Sequence, residues 1–301
     1  MTALTIGITT HNRPDAVRRC LASISQVLGD AVEVLVFDDG SNVPAAQQLV
    51  GEGGCARFLR DERRPGYIAG RNELVRQASN ELVLLLDDDA VLIDGTAIER
   101  AMRVIEQDRS VAAVAFAQAE QDGRPWPERM QPGRARVASR VPSFIGFAHL
   151  LRRSVFLDLG GYRADFVCYG EEKDYCLRLL DVGYRVVYLP DALVGHIVDV
   201  GGRDQRRYVR YAIRNDCLMS LYNEPWPLVV VGLPIRLLRH RRMAASIAGG
   251  DAGGVTWILG ELRRAFRGVW RRRRPVSWET IREWRRLGRT VVPYEQAAGT
   301  R

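Results

Sequence analysis

Leu82-Val-Leu-Leu-Leu86-Asp87-Asp88-Asp89 decides how this 301-residue chain folds. Five consecutive apolar residues fit a strand buried on both faces, as in a parallel sheet. The three carboxylates that follow repel one another unless a cation stands among them. Hard oxygen ligands suit Mg²⁺ or Mn²⁺, commonly shared with the phosphates of a substrate. If the strand continues through the acids, Asp87 and Asp89 project to one side and offer two carboxylates to one ion. A solvated acidic turn would look the same in isolation, so the neighbouring sequence has to decide.

Upstream, Leu4–Thr10 reads as a short strand and Asn12-Arg-Pro14-Asp15 as a helix start with a capping Asn. Val17, Leu21, Ile24 and Leu28 then mark one helical face. Residues 32–37 form the next strand and end in Asp38-Asp39-Gly40-Ser41. A helix is expected from Ile68 to Ala78. Downstream, the pattern continues with a helix near 95–107 and a strand near 111–117. Such alternation predicts an α/β fold with a largely parallel sheet. Ligands in these sheets bind beyond the carboxyl ends of the strands, where both acidic clusters fall. An Asp there can accept hydrogen bonds from a base N–H or a ribose hydroxyl, although Asp and Gly also make ordinary turns. Arg71, near a helix start, could meet a phosphate or lie on the surface.

The second half is less regular. Residues 120–143 read as an irregular loop, Ser143–Leu151 as a strand, Glu171–Val182 as a helix and Arg185–Leu189 as a strand. Leu193–Val198 is a short extended piece containing His196, which fits either a packed core residue or a ligand. Glu171-Glu172-Lys173-Asp174 is favoured at a helix start by the dipole. Crowded carboxylates also raise one member's affinity for a proton, which suits a general base.

Composition sets limits. The chain is 47% apolar and 27% charged, as a folded protein is. No run approaches about 18 apolar residues, the least a spanning helix needs, and the longest is Pro227–Ile235. Met1–Gly7 has no basic or apolar leader pattern, so no secretory signal is expected. Five scattered Cys without a CxxC pair fit a reducing cytosol, not a disulfide or zinc framework. Charge is uneven: residues 1–200 carry a net −5 and residues 201–301 a net +13. The basic third calls for an anionic partner.

The ordered set of motifs resembles glycosyltransferase family 2, the inverting enzymes with the GT-A fold. The matching pieces are Thr9-Thr10-His11-Asn12-Arg13, Val36-Phe-Asp38-Asp39-Gly40-Ser41, Gly70-Arg71-Asn72, Leu86-Asp87-Asp88-Asp89, Gly170-Glu171-Glu172-Lys-Asp174-Tyr-Cys-Leu-Arg178, Gly183-Tyr184-Arg185, and Pro190-Asp-Ala with His196. They span about residues 3–215. The resemblance implies a GT-A-type, mostly parallel sheet flanked by helices over 1–215, with a nucleotide-sugar half to about 118 and an acceptor half from 119. A basic helical extension would occupy 216–301. It implies that Thr9, Asn12, Arg13, Asp38 and Asp39 line the nucleotide pocket, with Asp88 among the donor-side residues, and that Arg71 approaches the diphosphate. Asp87 and Asp89 would bind Mg²⁺ or Mn²⁺, Asp89 the more closely, with His196 as a third contact to the metal or diphosphate. The base falls among Glu172, Glu171 and Asp174; the family's usual Asp is here Glu172.

The implied reaction moves a sugar from a UDP-, dTDP- or GDP-linked donor to a glycan or lipid-linked acceptor. A nucleotidyltransferase would also need a metal at strand ends, but would have no use for Glu171-Glu172. Nucleic-acid binding would suit the basic third, yet no zinc-finger or RNA-recognition signature accompanies it. Within that third, Ile258, Leu262, Phe266 and Trp270 recur every four residues, and Trp278, Ile281, Trp284 and Leu287 every three, with Arg between. Two amphipathic helices are expected. Their apolar faces either pack on the domain or lie in an anionic membrane surface, which would place the protein peripherally on the inner face of the cytoplasmic membrane.

Overall fold

The computed structural model describes residues 4–51, 56–198, 204–247 and 249–295. Cys55 and most of the composition break near residue 200 lie outside them. The first half runs β1 (Leu4–Thr10), α1 (Pro14–Leu28), β2 (Glu33–Asp38), a one-turn α2 (Ala45–Gln48), β3 (Arg57–Arg60), α3 (Tyr67–Gln77), β4 (Leu82–Asp87), β5 (Ala90–Leu92) and α4 (Gly95–Gln107). The second runs β6 (Val111–Ala119), β7 (Ser139–Val141), β8 (Ala148–Arg152), α5 (Arg153–Asp158), α6 (Glu171–Asp181) and β9 (Arg185–His196). The extension comprises α7 (Gln205–Asn223), α8 (Trp226–Ala244), α9 (Gly254–Arg272), α10 (Trp278–Leu287) and the short β10 (Val292–Pro293).

One sheet organises the molecule, in the order β10-β7-β9-β6-β8-β4-β1-β2-β3, with β5 paired to β9. Strands β3, β2, β1 and β4 are parallel, as the alternating sequence predicts. Beyond them the sheet is mixed, because β8 enters antiparallel between β4 and β6. The residues of β4 divide between two cores by strand alternation. Leu82, Leu84 and Leu86 pack on the side of α1 and α4. Val83 and Leu85 pack on the side of α3, α6 and α7. Helix α3 approaches β2 closely through Gly70, where an added Cβ would sit 2.6 Å from the Phe37 ring.

Three local expectations change. Asn12 does not cap α1; Arg13 occupies the cap position, and Asn12 takes a left-handed backbone with φ of 55°. The two extended pieces around His196 are one strand. Its pairing with β6 skips from Phe116↔Leu189 to Ala117↔Leu193, so Pro190–Ala192 bulge and hide the continuity. The irregular 120–143 loop contains β7.

The extension shares the core of the sheet domain. Val229 of α8 and Val269 of α9 belong to the α3/α6 core, and Trp284 of α10 packs against it. The expected division at 215/216 falls inside the continuous α7. Of the two expected apolar faces, that of α10 is turned inward at Ile281 and Leu287. That of α9 divides: Ile258 is buried, whereas Phe266 and Trp270 are exposed.

Asp174 is fully enclosed. It accepts hydrogen bonds from Arg163, from Arg178 Nε at 3.0 Å and from Asn223 Nδ2 at 2.7 Å, tying α6 to α7. Its carboxylate therefore does not reach the surface to take a proton, in contrast to the catalytic candidacy its sequence neighbourhood suggested. Removing one partner from a buried ionic cluster leaves the others uncompensated. Asp174→Ala is expected to lower the unfolding free energy by about 3–5 kcal/mol, read as a denaturant midpoint shift. A change below about 1 kcal/mol, the worth of an ordinary surface pair, would refute the anchoring role.

Candidate active site

The carboxyl ends of β1, β2 and β4 adjoin, since Thr9 pairs with Phe37 on one side and Asp87 on the other. Topology alone therefore brings the two acidic clusters together. Their members divide by environment. Asp38 is buried and serves local structure: its oxygens accept from Ser41 N at 2.8 Å, Ala45 N at 2.9 Å and Arg60 Nη1 at 2.8 Å. Despite burial, these donors hold its pKa below the ordinary carboxylate value. Asp39 is half-buried and accepts from Gly66 N at 2.9 Å. Burial raises its pKa. Thr9 is buried between Phe37 and Asp87 in the sheet, and Asn12 is exposed, accepting from Asn42 N at 2.7 Å.

Strand β4 ends at Asp87, and Asp88 and Asp89 form the turn into β5. Asp88 turns inward, accepting from Thr10 Oγ1 at 2.8 Å and Arg13 Nη1 at 2.5 Å. Burial pushes its pKa up to about 7. Asp87 remains partly exposed, and Asp89 accepts from Arg13 Nη2 at 3.1 Å. Although burial works against it, the His196 and Arg13 partners hold the Asp89 pKa below its ordinary value. One ligand atom each from Asp87, Asp89 and His196 lies within 4.8 Å of the others. Strand alternation does not bring them together. The turn does so, together with the β5–β9 pairing that sets Ala90 opposite His196.

His196 is oriented by residues that the sequence reading did not single out. Its ring is stacked between Trp126, with centroids 5.3 Å apart, and Phe147, at 4.8 Å. Its Nδ1 lies 2.7 Å from Gln118 Oε1. The Gln118 amide is oriented because its Nε2 donates to the Met130 carbonyl. An amide oxygen can only accept, so Nδ1 carries the proton. Nε2 then faces Asp89 Oδ1 at 3.4 Å. Two acceptors opposed in this way need a proton or a cation between them. A metal-ligating His held by a hydrogen bond at its other nitrogen is the usual pattern. Two carboxylates and an imidazole fit Mg²⁺ or Mn²⁺. The only sequence signal for Gln118 was its place near the end of β6, one residue past the expected strand.

Arg71 is not free to reach a diphosphate. It is buried, and its Nη2 donates to Asp87 Oδ1 at 2.5 Å and to the Gly146 carbonyl at 2.8 Å, while Nη1 donates to Glu171 Oε1 at 3.0 Å. It clamps the end of β4 to the start of α6. Glu171 is sealed beneath this clamp, with Tyr67 OH 3.4 Å from Oε2. Burial first, then the neighbouring Glu172 charge, raises its pKa well above the ordinary value, and Arg71 opposes this. Glu172 is only partly buried. Its Oε1 lies over Gly146, where an added Cβ would come within 2.5 Å.

The segment before Glu171 is held by α7. Asn215 Nδ2 donates to the carbonyls of Phe166 at 2.9 Å, Cys168 at 2.5 Å and Tyr169 at 2.7 Å. Val167 and Tyr169 take left-handed φ values of 66° and 65°, costly for bulky residues and here over-determined by Asn215.

Comparison with known proteins follows the same lines. Pre-mycofactocin glycosyltransferase of Mycobacterium tuberculosis is 28% identical over 270 residues, covering 85% of this chain and 52% of that protein. The chain thus spans about half the length of this curated relative. Among solved structures, Staphylococcus aureus TarS 1–349 in complex with UDP-GlcNAc superposes with a TM-score of 0.62 at 15% identity, covering 88% of this chain and 81% of that one. The mannosyltransferase PcManGT from Pyrobaculum calidifontis, in complex with GDP-Man and Mn²⁺, gives 0.58 at 16% identity, covering 94% and 83%. These likenesses show the fold, a GT-A sheet flanked by helices, and do not favour a nucleotidyltransferase. The sequence model of Glycosyl transferase family 2 matches residues 5–160, just over half of the chain, and takes in both acidic strand ends and Arg71. The chain belongs to glycosyl transferase family 2.

Proposed function

We propose that the protein is a metal-dependent, inverting glycosyltransferase acting on a nucleotide-sugar. The observation that carries this is the joint built by Arg71. It hydrogen-bonds both Asp87, one of three clustered ligand groups, and Glu171, next to the accessible Glu172. Such an arrangement suits a leaving diphosphate on one side and an acceptor hydroxyl on the other.

In this reading, Thr9, Asn12, Arg13 and Asp39 bound the nucleotide pocket, while Asp38 and Asp88 shape it from within. Asp87, Asp89 and His196 Nε2 would hold Mg²⁺ or Mn²⁺, which when bound supplies positive charge to the departing diphosphate. Gln118 keeps the Nε2 lone pair of His196 directed at that place. Glu172 takes the proton of an acceptor hydroxyl. The oxygen attacks the anomeric carbon, and the bond from that carbon to the diphosphate breaks, the electron pair leaving with the phosphate oxygen. A single displacement of this kind inverts the centre. Glu171, buried and bonded to Arg71, acts as the clamp's anchor. The donor carries a hexosyl or deoxyhexosyl group on UDP, dTDP or GDP. The acceptor is a lipid-linked or cell-surface glycan precursor at the cytoplasmic side.

A panel of nucleotide-sugars screened for thermal stabilisation with and without Mn²⁺ tests the reading, because a ligand that binds only the folded state raises stability by mass action. Selective stabilisation by one donor, dependent on Mn²⁺, is expected; pyrophosphate release in place of a nucleoside diphosphate would overturn it.

Four substitutions refine it. Asp89→Asn should abolish turnover and Mn²⁺-dependent donor binding while leaving the melting temperature near wild type; normal activity in Mn²⁺ would remove Asp89 from the metal site. Glu172→Gln should slow transfer by about two to four orders of magnitude with donor binding intact. Glu171→Gln should mainly lower the melting temperature, and the reverse ordering of rates would move the base to Glu171. Gln118→Leu should weaken Mn²⁺ binding by about 10–100-fold, measured by titration without donor, and unchanged affinity would deny Gln118 its orienting role.

A further inference from the structure

The outer side of α8 is apolar for about two turns, Val230 to Leu238. Trp226, Val230, Val231, Ile235 and Leu238 are 45–68% exposed, while the inward residues are Val229, His240 and Ala244. Val231, Ile235 and Leu238 follow at i, i+4 and i+7 and share one helical face, with Val230 at its edge; Trp226 lies at the helix start, half a turn round from Ile235, beside α9. A helix on a soluble domain normally turns its apolar stripe to the core; here the solvent side carries it. α9 continues the surface: Phe266 and Trp270 are exposed, and the Trp270 ring lies 6.1 Å from that of Trp226. A contiguous patch of this kind marks an interaction site.

Charge identifies the occupant. Residues 226–274 hold 11 Arg and only two acids, Asp251 and Glu261. Both acids are at least partly buried and already paired with Arg. Arg241, Arg242, Arg263, Arg267 and Arg271 are exposed and make no ion pair with any described residue. A second copy of this face would set Arg against Arg with no acid to answer it. An anionic lipid surface meets both features, since phosphates take the guanidinium groups while Trp and aliphatic side chains enter the headgroup boundary. No described helix is long and apolar enough to cross a membrane, and the α8 stripe from Val230 to Leu238 covers only about 12 Å at 1.5 Å per residue. The geometry is that of a helix lying flat.

We propose that the outer face of α8, with Phe266 and Trp270 of α9, seats the protein on an anionic membrane surface. The seat keeps Phe266 and Trp270 of the face the sequence pattern pointed to but replaces α10 by α8, because Ile281, Trp284 and Leu287 of α10 pack inward and leave Trp278 exposed. As the source of the acceptor, this seat rests on the glycosyltransferase reading. As a lipid-binding surface it stands alone. α7 lies between this surface and the loop before Glu171, so a lipid-linked acceptor would be presented one helix layer from the base.

The test is cosedimentation of the full chain with vesicles of phosphatidylcholine alone or with about 30% phosphatidylglycerol, without donor or acceptor. Binding is expected only with the anionic vesicles, falling as salt rises. Val231→Glu/Ile235→Glu changes two exposed side chains and should weaken vesicle binding at least tenfold with an unchanged melting temperature. Arg263→Ser/Arg267→Ser should weaken it and flatten its salt dependence. Failure of the wild type to bind, or full binding by the Val231→Glu/Ile235→Glu variant, would overturn the proposal. So would concentration-dependent dimerisation in light scattering, abolished by that same variant, in the absence of vesicle binding. Nucleotide-sugar stabilisation measured on the same proteins separates loss of this surface from failure of the catalytic reading.

Discussion

The guanidinium of Arg71 is the part on which the site depends. It comes from α3 and reaches a strand end 16 residues away, a loop carbonyl 75 away and a helix start 100 away. Such a charge is tolerable in a protein interior only when paired and hydrogen-bonded. Here the pairing requirement and the catalytic layout coincide: the carboxylates that satisfy Arg71 are a metal-ligand candidate and the neighbour of the base candidate. Displacing either carboxylate leaves a buried cation uncompensated, which typically costs several kcal/mol. The separation between the two chemical groups is thus held by an electrostatic constraint inside the core and not by loop conformation.

Three adjacent Asp side chains avoid mutual repulsion by taking different surroundings. Asp88 faces inward to Thr10 and Arg13, where burial raises its proton affinity. Asp89 is held ionised by His196 and Arg13 against its own burial. Asp87 keeps its exposure but shares the charge of Arg71. The three carboxylates therefore share two guanidinium groups, Arg13 between Asp88 and Asp89 and Arg71 on Asp87, and Asp87, Asp89 and His196 are left with one ligand atom each close together.

What could be read in the sequence follows from how far each interaction reaches. The apolar run of β4, the acids after it, and the alternation through β6 are local patterns, and they led to the parallel half of the sheet. Asp87, Asp89, His196 and Glu172 were singled out because carboxylates and imidazoles can hold a metal or a proton, and the fold brings ligand atoms of the first three within 4.8 Å of one another. Gln118, Trp126 and Asn215 were not, because an amide or an indole announces nothing until topology gives it a partner. The same holds for Arg71: its presence near a helix start suggested a phosphate, but its actual partners lie on elements whose placement depends on β8 entering antiparallel. The Pro190–Ala192 bulge concealed a continuous strand for a related reason, since a register slip is visible only in the paired neighbour.

The basic third looked separable by composition and is not separable by structure. α7 faces two ways. Toward the sheet, Asn215 and Arg214 hold the loop ahead of Glu171 through its carbonyls, with Val167 and Tyr169 in a backbone region they would not keep unaided. Toward solvent it is covered by α8 and α9, whose own outer surface is apolar and ringed with Arg. A composition boundary reports mainly what meets the outside, and here the outside of the last helices is richer in Arg than the rest. Inside, the helices continue the core of the sheet domain through Val229 and Val269. α7 therefore holds the loop ahead of Glu171 from within while α8 and α9 turn a cationic, apolar face outward, so the position of Glu171 and Glu172 relative to that face is set by the packing of α7.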